Sequence, residues 1–557
     1  MEVQNIYDIC RKSASHDTGI SFQFRNPGKS PERISYRGFW DCANQDVSRI
    51  DNIPGIKRQR IILLHFDLHQ DSIRWFWAVV AAGYIPAISP PLTSDIHQRK
   101  QHLSHVFNLL GDPVVLTTKA LQAEFQCQNL LHLHVCTAEY LQQEGGTSTA
   151  PKLPLLPPGS RKKPDELAVL MLTSGSSGNA KAVCLQHGQI IHALKGKIAC
   201  HQTKLEDRFL NYIGLDHVAN LTEVHLHAMY LGAEQTHILG PEIMVHLLWF
   251  LHLINEHRIS YTFATKNLLA SLVRSLKSEV PHELDLSCLK AIITGGDATP
   301  IITCTALIEK LRSFGAVENF LHPGFGMTET CAGCTYNKAC PEYEQKKNFE
   351  YASQGIPTQA ISMRVVSTNG EEALGVSNGV KGSLQARGLA VFSEYYNNPQ
   401  ATKESFTSDG WFRTGDDAII YPDDHLVIVG RAKDTITING KEFTPLDFET
   451  AIEKAEIPGV TPSYTVFFAF RHPTSDAECI CIIYVPEPEY GDLQARPQIS
   501  DAIAEECVKV SGVVPWDILA VDEASLPKSS LGKISRVKTQ KAYESGALFK
   551  VRGSTSV

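Results

Sequence analysis

Short, continuous apolar runs alternate with helical patterns through the first three quarters of the chain. The runs are RIILLHF (60–66), PVVLTT (113–118), LAVLML (167–172), FLNYIGL (209–215) and LKAIITGG (289–296). Unbroken apolar character, rather than alternation, predicts strands buried on both faces, hence parallel sheets covered by helices. The pattern changes near residue 430, where LVIVGRAKDTITINGKEF reads as two short strands around a polar turn. Beyond it, strand-like TVFFAF and CICIIYV flank the helical ISDAIAEECVKVSG. That is enough for a small α+β domain of roughly 125 residues. The expected division is 1–429 and 430–557. Segment 142–165, rich in Gly, Pro and Lys, reads as a surface connection.

At 557 residues the chain exceeds what one hydrophobic core supports, which agrees with two domains. A net charge of −8 argues against a nucleic-acid or anionic-membrane partner. The longest apolar stretch, WFWAVVAAGYIPAI, contains Gly83 and Pro86 and is too short to span a bilayer. Neither end carries a secretory or peroxisomal address, so a cytosolic protein is expected. The fourteen cysteines show no framework. Cys331 and Cys334 in TCAGC lack the second pair or histidines that a zinc site needs, so buried thiols are expected.

The chemistry begins at LTSGSSGNAKAV, residues 172–183. Thr173 is followed by Ser174, Gly175, Ser176, Ser177 and Gly178, and then by Lys181. Small residues bring backbone N–H groups and hydroxyls close to phosphate oxygens, and a nearby lysine adds charge. A Walker A loop is a poor match, because Ala180 and Ala182 stand where Gly and Ser or Thr belong. Alone, the loop reads equally as a surface turn.

It is followed in order by HPGFGMTET (322–330), GWFRTGD (410–416), VGRAKDTITINGKEF (429–443) and LPKSSLGKISR (526–536). With GYIPAISPPL (83–92) these motifs cover nearly the whole chain, and together they resemble the adenylate-forming superfamily of acyl-CoA synthetases, adenylation domains and luciferases. The resemblance implies an α/β fold: a large N-terminal domain of helix-covered sheets plus a distorted barrel, and a small mobile α+β C-terminal domain. It implies ATP and Mg2+ as cofactors. A carboxylate attacks the α-phosphate of ATP, and a thiol then displaces AMP.

Residue by residue, the resemblance implies that 173–178 and Lys181 hold the leaving phosphates. Glu329 is the implied magnesium ligand, an oxygen donor suited to a hard cation. Thr328 would touch the α-phosphate, beside Gly326 and Met327 of the same motif. Phe325 would pack on adenine, with Gly295, Gly296 and Asp297 lining the other face. Asp416 would accept the ribose hydroxyls and Arg431 would add a second ribose contact. Lys433 marks the hinge. Lys533 would reach back from the small domain to bridge carboxylate and phosphate, lowering their repulsion.

His217, in the segment that floors the acid pocket, matches a histidine of many acid ligases. Asp216 keeps an amino-acid substrate open. His225, His227 and His237 are read on a helical stretch, mostly as ordinary polar or core positions. Lys266, in FATKNLL, is either a pocket oddity or exposed. Pro323 offers no acceptor for the adenine amine. Stretch 380–416 looks nearest to fungal adenylation domains of nonribosomal-peptide-like enzymes. That implies secondary metabolism of the mycotoxin type, with a small carboxylic acid, a di- or tricarboxylic acid among the options. The thiol is expected from coenzyme A or the phosphopantetheine arm of a separate acyl or peptidyl carrier protein. Two alternatives stay open: a non-catalytic nucleotide-binding regulator, and a luciferase-like monooxygenase.

Overall fold

The structure is a computed structural model that describes residues 3–25, 29–53, 56, 61–93, 95–126, 134–144, 162–173, 180–278, 283–367, 379–438, 441–471, 478–490, 496–528 and 533–548. Strands Ile61–His65 and Val114–Thr117 are buried at every position. They lie parallel in a six-stranded sheet that continues through Ile85–Ile88 to Leu167–Thr173. The expected parallel sheet is therefore present, with one antiparallel edge, Lys181–Gln186 against Leu167–Thr173. A parallel crossover needs a dozen or more residues, and the link between these two strands is far shorter.

A nine-stranded sheet carries Arg208–Asn211, Glu234–His237, Tyr261–Phe263, Ala291–Thr294 and Leu321–Met327 at its parallel centre. The run expected at 209–215 ends as a strand at Asn211, because the Asn211 amide donates to Ile213 O at 2.9 Å and turns the chain. Residues Ala219–His225 then form a π-helical turn, buried throughout, that continues into helix Leu226–Leu231. Such turns are rare and often lie at functional sites. His237 corrects the sequence reading: it sits on a strand rather than on a helix.

Four antiparallel strands, Ile361–Val366, Gly382–Gly388, Phe412–Ile420 and Leu426–Arg431, make a third sheet. LVIVGR thus pairs back with the large part of the chain. The polar turn that follows it is Ala432–Asp434, and Ile436–Ile438 forms its own hairpin with Lys441–Phe443. The last quarter contains a three-stranded sheet, Val460–Arg471, Glu478–Pro486 and Asp517–Ala520, with helices Pro445–Lys454, Arg496–Ser511 and Arg536–Glu544. Its two apolar clusters are built from residues 436–548 alone, and Phe448 stacks on Phe467 with ring centroids 4.0 Å apart. Among the described residues, no helix is long and apolar enough to cross a membrane. Most of segment 142–165 lies outside the described residues.

Candidate active site

Strand Ala291–Thr294 ends at Gly295, where an added Cβ would lie 2.6 Å from Gly324 O, and Gly296 follows at φ +88°. Only glycine satisfies both demands, so the backbone here is a bare strip. Lys533, 237 residues further on, donates from Nζ to Gly296 O at 2.6 Å. The same ammonium pairs with Asp297 Oδ1 at 2.7 Å. Arg536, at the start of the last helix, anchors this loop by donating to Phe467 O (2.8 Å) and Glu449 (2.6 Å). The structure therefore brings the lysine of the last quarter onto the strip of the large lobe.

His217 lies within the electrostatic reach of Lys533. Burial, with a further push from that ammonium, lowers its imidazole to about 3, so it is neutral at pH 7. Its Nδ1 accepts from Ala219 N at 3.1 Å, which places the ring proton on Nε2. His225, His227 and His237 are core positions. His225 accepts from Trp77 Nε1 at 2.9 Å, His227 meets the Thr203 hydroxyl at 2.7 Å, and His237 lies 3.3 Å from His69. Lys266 begins helix Lys266–Ser278, where its charge faces Glu453 of the last quarter.

Asp416 and Arg431 face one another in the antiparallel register, and Arg431 Nε pairs with Asp416 Oδ1 at 2.9 Å. Asp416 Oδ2 is buried and has no hydrogen-bond partner among the described residues. Burial pushes this carboxyl up, while Arg431 and Lys533 pull against it. A buried oxygen without a partner costs free energy that two ribose hydroxyls would recover, so the site fits a nucleoside. Asp416→Asn is expected to weaken ATP binding about 10- to 100-fold, the loss of a hydrogen bond to a charged group. Titration calorimetry with ATP and 2′-deoxy-ATP checks this, and the variant should discriminate less between them.

Phe325 is half-buried against two apolar clusters, at a register shift that separates it from Gly326. At Gly326 any Cβ would strike Ala332 O. Met327 caps the short turn Thr328–Thr330, whose Glu329 is buried. Glu329 Oε1 accepts from the Tyr395 hydroxyl at 2.8 Å, and Lys181 Nζ lies 4.5 Å from the centre of the Tyr395 ring. Magnesium is commonly held by one or two carboxylates plus substrate phosphates, so a single oriented Glu329 fits that ion. Thr173 faces Lys181 across the hairpin, and its hydroxyl donates to Lys181 O at 3.4 Å. Ser174, Gly175, Ser176, Ser177 and Gly178 lie outside the described residues. Lys433 is exposed, and its ammonium feels Asp434, Arg431, Asp416 and Lys181. Cys331 and Cys334 are buried thiols, pushed by burial up to about 12 and about 11.

Sequence reasoning missed Tyr395, Arg536 and the pair Lys197–Glu223. Lys197 is fully buried and pairs with Glu223 at 3.2 Å beneath the Glu329 turn. Its signal was present: Ile190, Ala193, Leu194 and Lys197 share one face of helix His187–His201. A lysine on an apolar stripe needs a buried partner.

Residues 12–396 match the AMP-binding enzyme family. The chain is 43% identical over 553 residues to the nonribosomal peptide synthetase acyN of Ascocoryne sarcoides, covering 98% of this chain and 58% of that protein. It is 40% identical to microperfuranone synthase of Emericella nidulans, covering 98% of this chain and 57% of the relative. The chain thus spans little more than half the length of these relatives. Among solved structures, McyG A-PCP complexed with phenylalanyl-adenylate superposes with a TM-score of 0.85 at 25% identity, over 98% of this chain and 96% of that one. With that match laid over the Lys533, Asp416 and Glu329 geometry, the chain belongs to the AMP-binding enzymes, as an adenylation domain of the kind found in nonribosomal-peptide-synthetase-like proteins.

Proposed function

We propose that this chain activates a carboxylic acid with ATP and passes the acyl group to a thiol. The carrying observation is Lys533, whose ammonium meets Gly296 O and Asp297 within reach of His217 and Asp416. A substrate carboxylate oxygen attacks the α-phosphorus, the bond to the bridging oxygen breaks, and pyrophosphate leaves. In this reading Lys533 meets both anions, and its charge lowers their repulsion as negative charge moves toward pyrophosphate. Lys181 holds the departing phosphates. Asp416 and Arg431 hold the ribose, and Phe325 with the Gly295–Asp297 strip holds adenine. Magnesium, on Glu329, would screen the phosphate charge. The working division is 1–429 as the adenylation core and 430–557 as the lid. Rotation about Lys433 withdraws Lys533 and admits the thiol, so one cleft serves both steps.

The acid proposed is one without an α-ammonium. Asp216 folds back toward the Gly214 backbone, the neutral His217 carries no anionic charge, and Glu223 is engaged by Lys197, Tyr261 and Tyr336. Two relatives are named as synthases of microperfuranone and of aspulvinone E, which supports a role in fungal secondary metabolism. The acceptor in this reading is a carrier-bound phosphopantetheine. The test is a panel of aryl, keto, fatty, polycarboxylic and amino acids read by pyrophosphate release. Acids lacking an α-ammonium should drive release well above their amino-acid counterparts. The reverse order rejects the substrate class, and no release with any acid rejects the enzyme.

A further inference from the structure

We infer that Tyr395 is a positioning residue that joins the carboxylate and the lysine of the phosphate site, aligning Glu329 through its hydroxyl and Lys181 through its ring. The inference rests on the adenylation reading and goes beyond it by giving a role to a residue to which the resemblance assigned none. Three contacts carry it. The hydroxyl donates to Glu329 Oε1 at 2.8 Å. The ring centre lies 4.5 Å from Lys181 Nζ, within cation–π range. The ring is itself only 5% exposed, and its centroid lies 4.8 Å from that of Phe392.

The backbone explains why this side chain can do both. Tyr395 bridges Val183, Cys184 N donates to Glu394 O at 3.1 Å, and Tyr396 N donates to Ala182 O at 2.8 Å. Residues 394–396 therefore form a short antiparallel β-bridge with Lys181–Gln186, which fixes the ring beside the first residue of that strand. At the other end, Phe392 N donates to Glu329 O at 2.8 Å, so the same segment grips the Glu329 backbone. Tyr395 N donates to the Thr402 hydroxyl at 3.0 Å, which locks its own position. With Oε1 taken by the phenol, Oε2 makes no hydrogen bond among the described residues, and the carboxylate presents one oriented oxygen. A divalent cation and a phosphate-bound lysine must be held at a set separation for both to touch one triphosphate. A rigid aromatic ring spanning them supplies that spacing.

Two substitutions separate the halves of the role. Tyr395→Phe keeps the ring under Lys181 and removes only the hydrogen bond to Glu329. Tyr395→Leu removes both. Binding of a non-hydrolysable ATP analogue, titrated calorimetrically at several Mg2+ concentrations, provides a readout independent of turnover, and thermal melting confirms folding. Tyr395→Phe is expected to raise the Mg2+ concentration for half-maximal analogue binding about tenfold, with affinity at saturating Mg2+ little changed. Tyr395→Leu is expected to weaken the analogue a further threefold or so even at saturating Mg2+. Should Tyr395→Leu fail to fold, Tyr395→Phe decides alone. A Tyr395→Phe protein that matches wild type in its Mg2+ requirement overturns the assignment. A wild-type chain that binds no nucleotide at any Mg2+ concentration overturns instead the adenylation reading beneath it.

Discussion

Lys533→Ala is expected to slow acyl-adenylate formation by about 10²- to 10³-fold, the cost typical of removing one pre-aimed group that stabilises transition-state charge. The reason lies in the geometry. Lys533 Nζ reaches 237 residues back to Gly296 O and sits 2.7 Å from Asp297 Oδ1, beside the cleft. Arg536 also feels Asp297, but its guanidinium is held by Phe467 O and Glu449, so Lys533 is the cation in direct contact with the strip among the described residues. Pyrophosphate exchange checks the first step. Thioester formation from pre-formed acyl-adenylate checks the second and should change little under the proposed rotation about Lys433, which withdraws Lys533 from the site. Arg536 stays anchored to Glu449 and Phe467 O in the variant, so the loop keeps its shape and the loss reports chemistry rather than unfolding. Exchange at the wild-type rate would remove Lys533 from the reaction.

Lys197→Met is expected to cost about 3–5 kcal/mol of stability, because it leaves a buried charge without its partner. Glu223 would still accept from Tyr261 (2.7 Å), Tyr336 (2.9 Å) and Gly333 N (3.2 Å), but the compensating cation would be gone. Lys197 also donates to Cys331 O at 3.2 Å and to Gly333 O. Those carbonyls flank Cys331 and Ala332, which hold φ of 55° and 70° without being glycine. Such backbone is strained and persists only where its surroundings hold it. Thr222, whose hydroxyl donates to Cys331 O at 2.7 Å, shares that task. Urea unfolding should show the loss, and Lys197→Met/Glu223→Gln should recover part of it by removing the orphaned charge. A single variant as stable as wild type would show that the pair is dispensable.

Much of the fold was legible because burial writes itself into composition. Ile61–His65 and Val114–Thr117 are apolar almost throughout, and they lie inside a sheet covered on both faces. The ends of elements were less legible. FLNYIGL is apolar through residue 215, yet a single side-chain hydrogen bond from Asn211 stops its strand. LVIVGR carries no local sign that it pairs with Phe412–Ile420 rather than with the hairpin after it, since pairing depends on distant residues. The same holds for the site. Asp416, Arg431 and Lys533 stand in dense motifs and were read directly. His237 was misplaced although Gly232, which closes helix Leu226–Leu231 in a left-handed turn, stands before it as a stop signal; its strand is set by neighbours Asn211 and Phe22. Tyr395 and Glu329 are 66 residues apart, and no spacing rule connects them. Their contact exists only once the segment after Phe392 lies along Lys181–Gln186.

The most direct test of the bridging lysine is a crystal structure with a non-hydrolysable ATP analogue and an acid that drives pyrophosphate release. Lys533 Nζ should lie about 3 Å from an oxygen of the carboxylate and from one of the α-phosphate. An ammonium left more than about 6 Å from both, with nucleotide and acid in place, would contradict the bridging role outright.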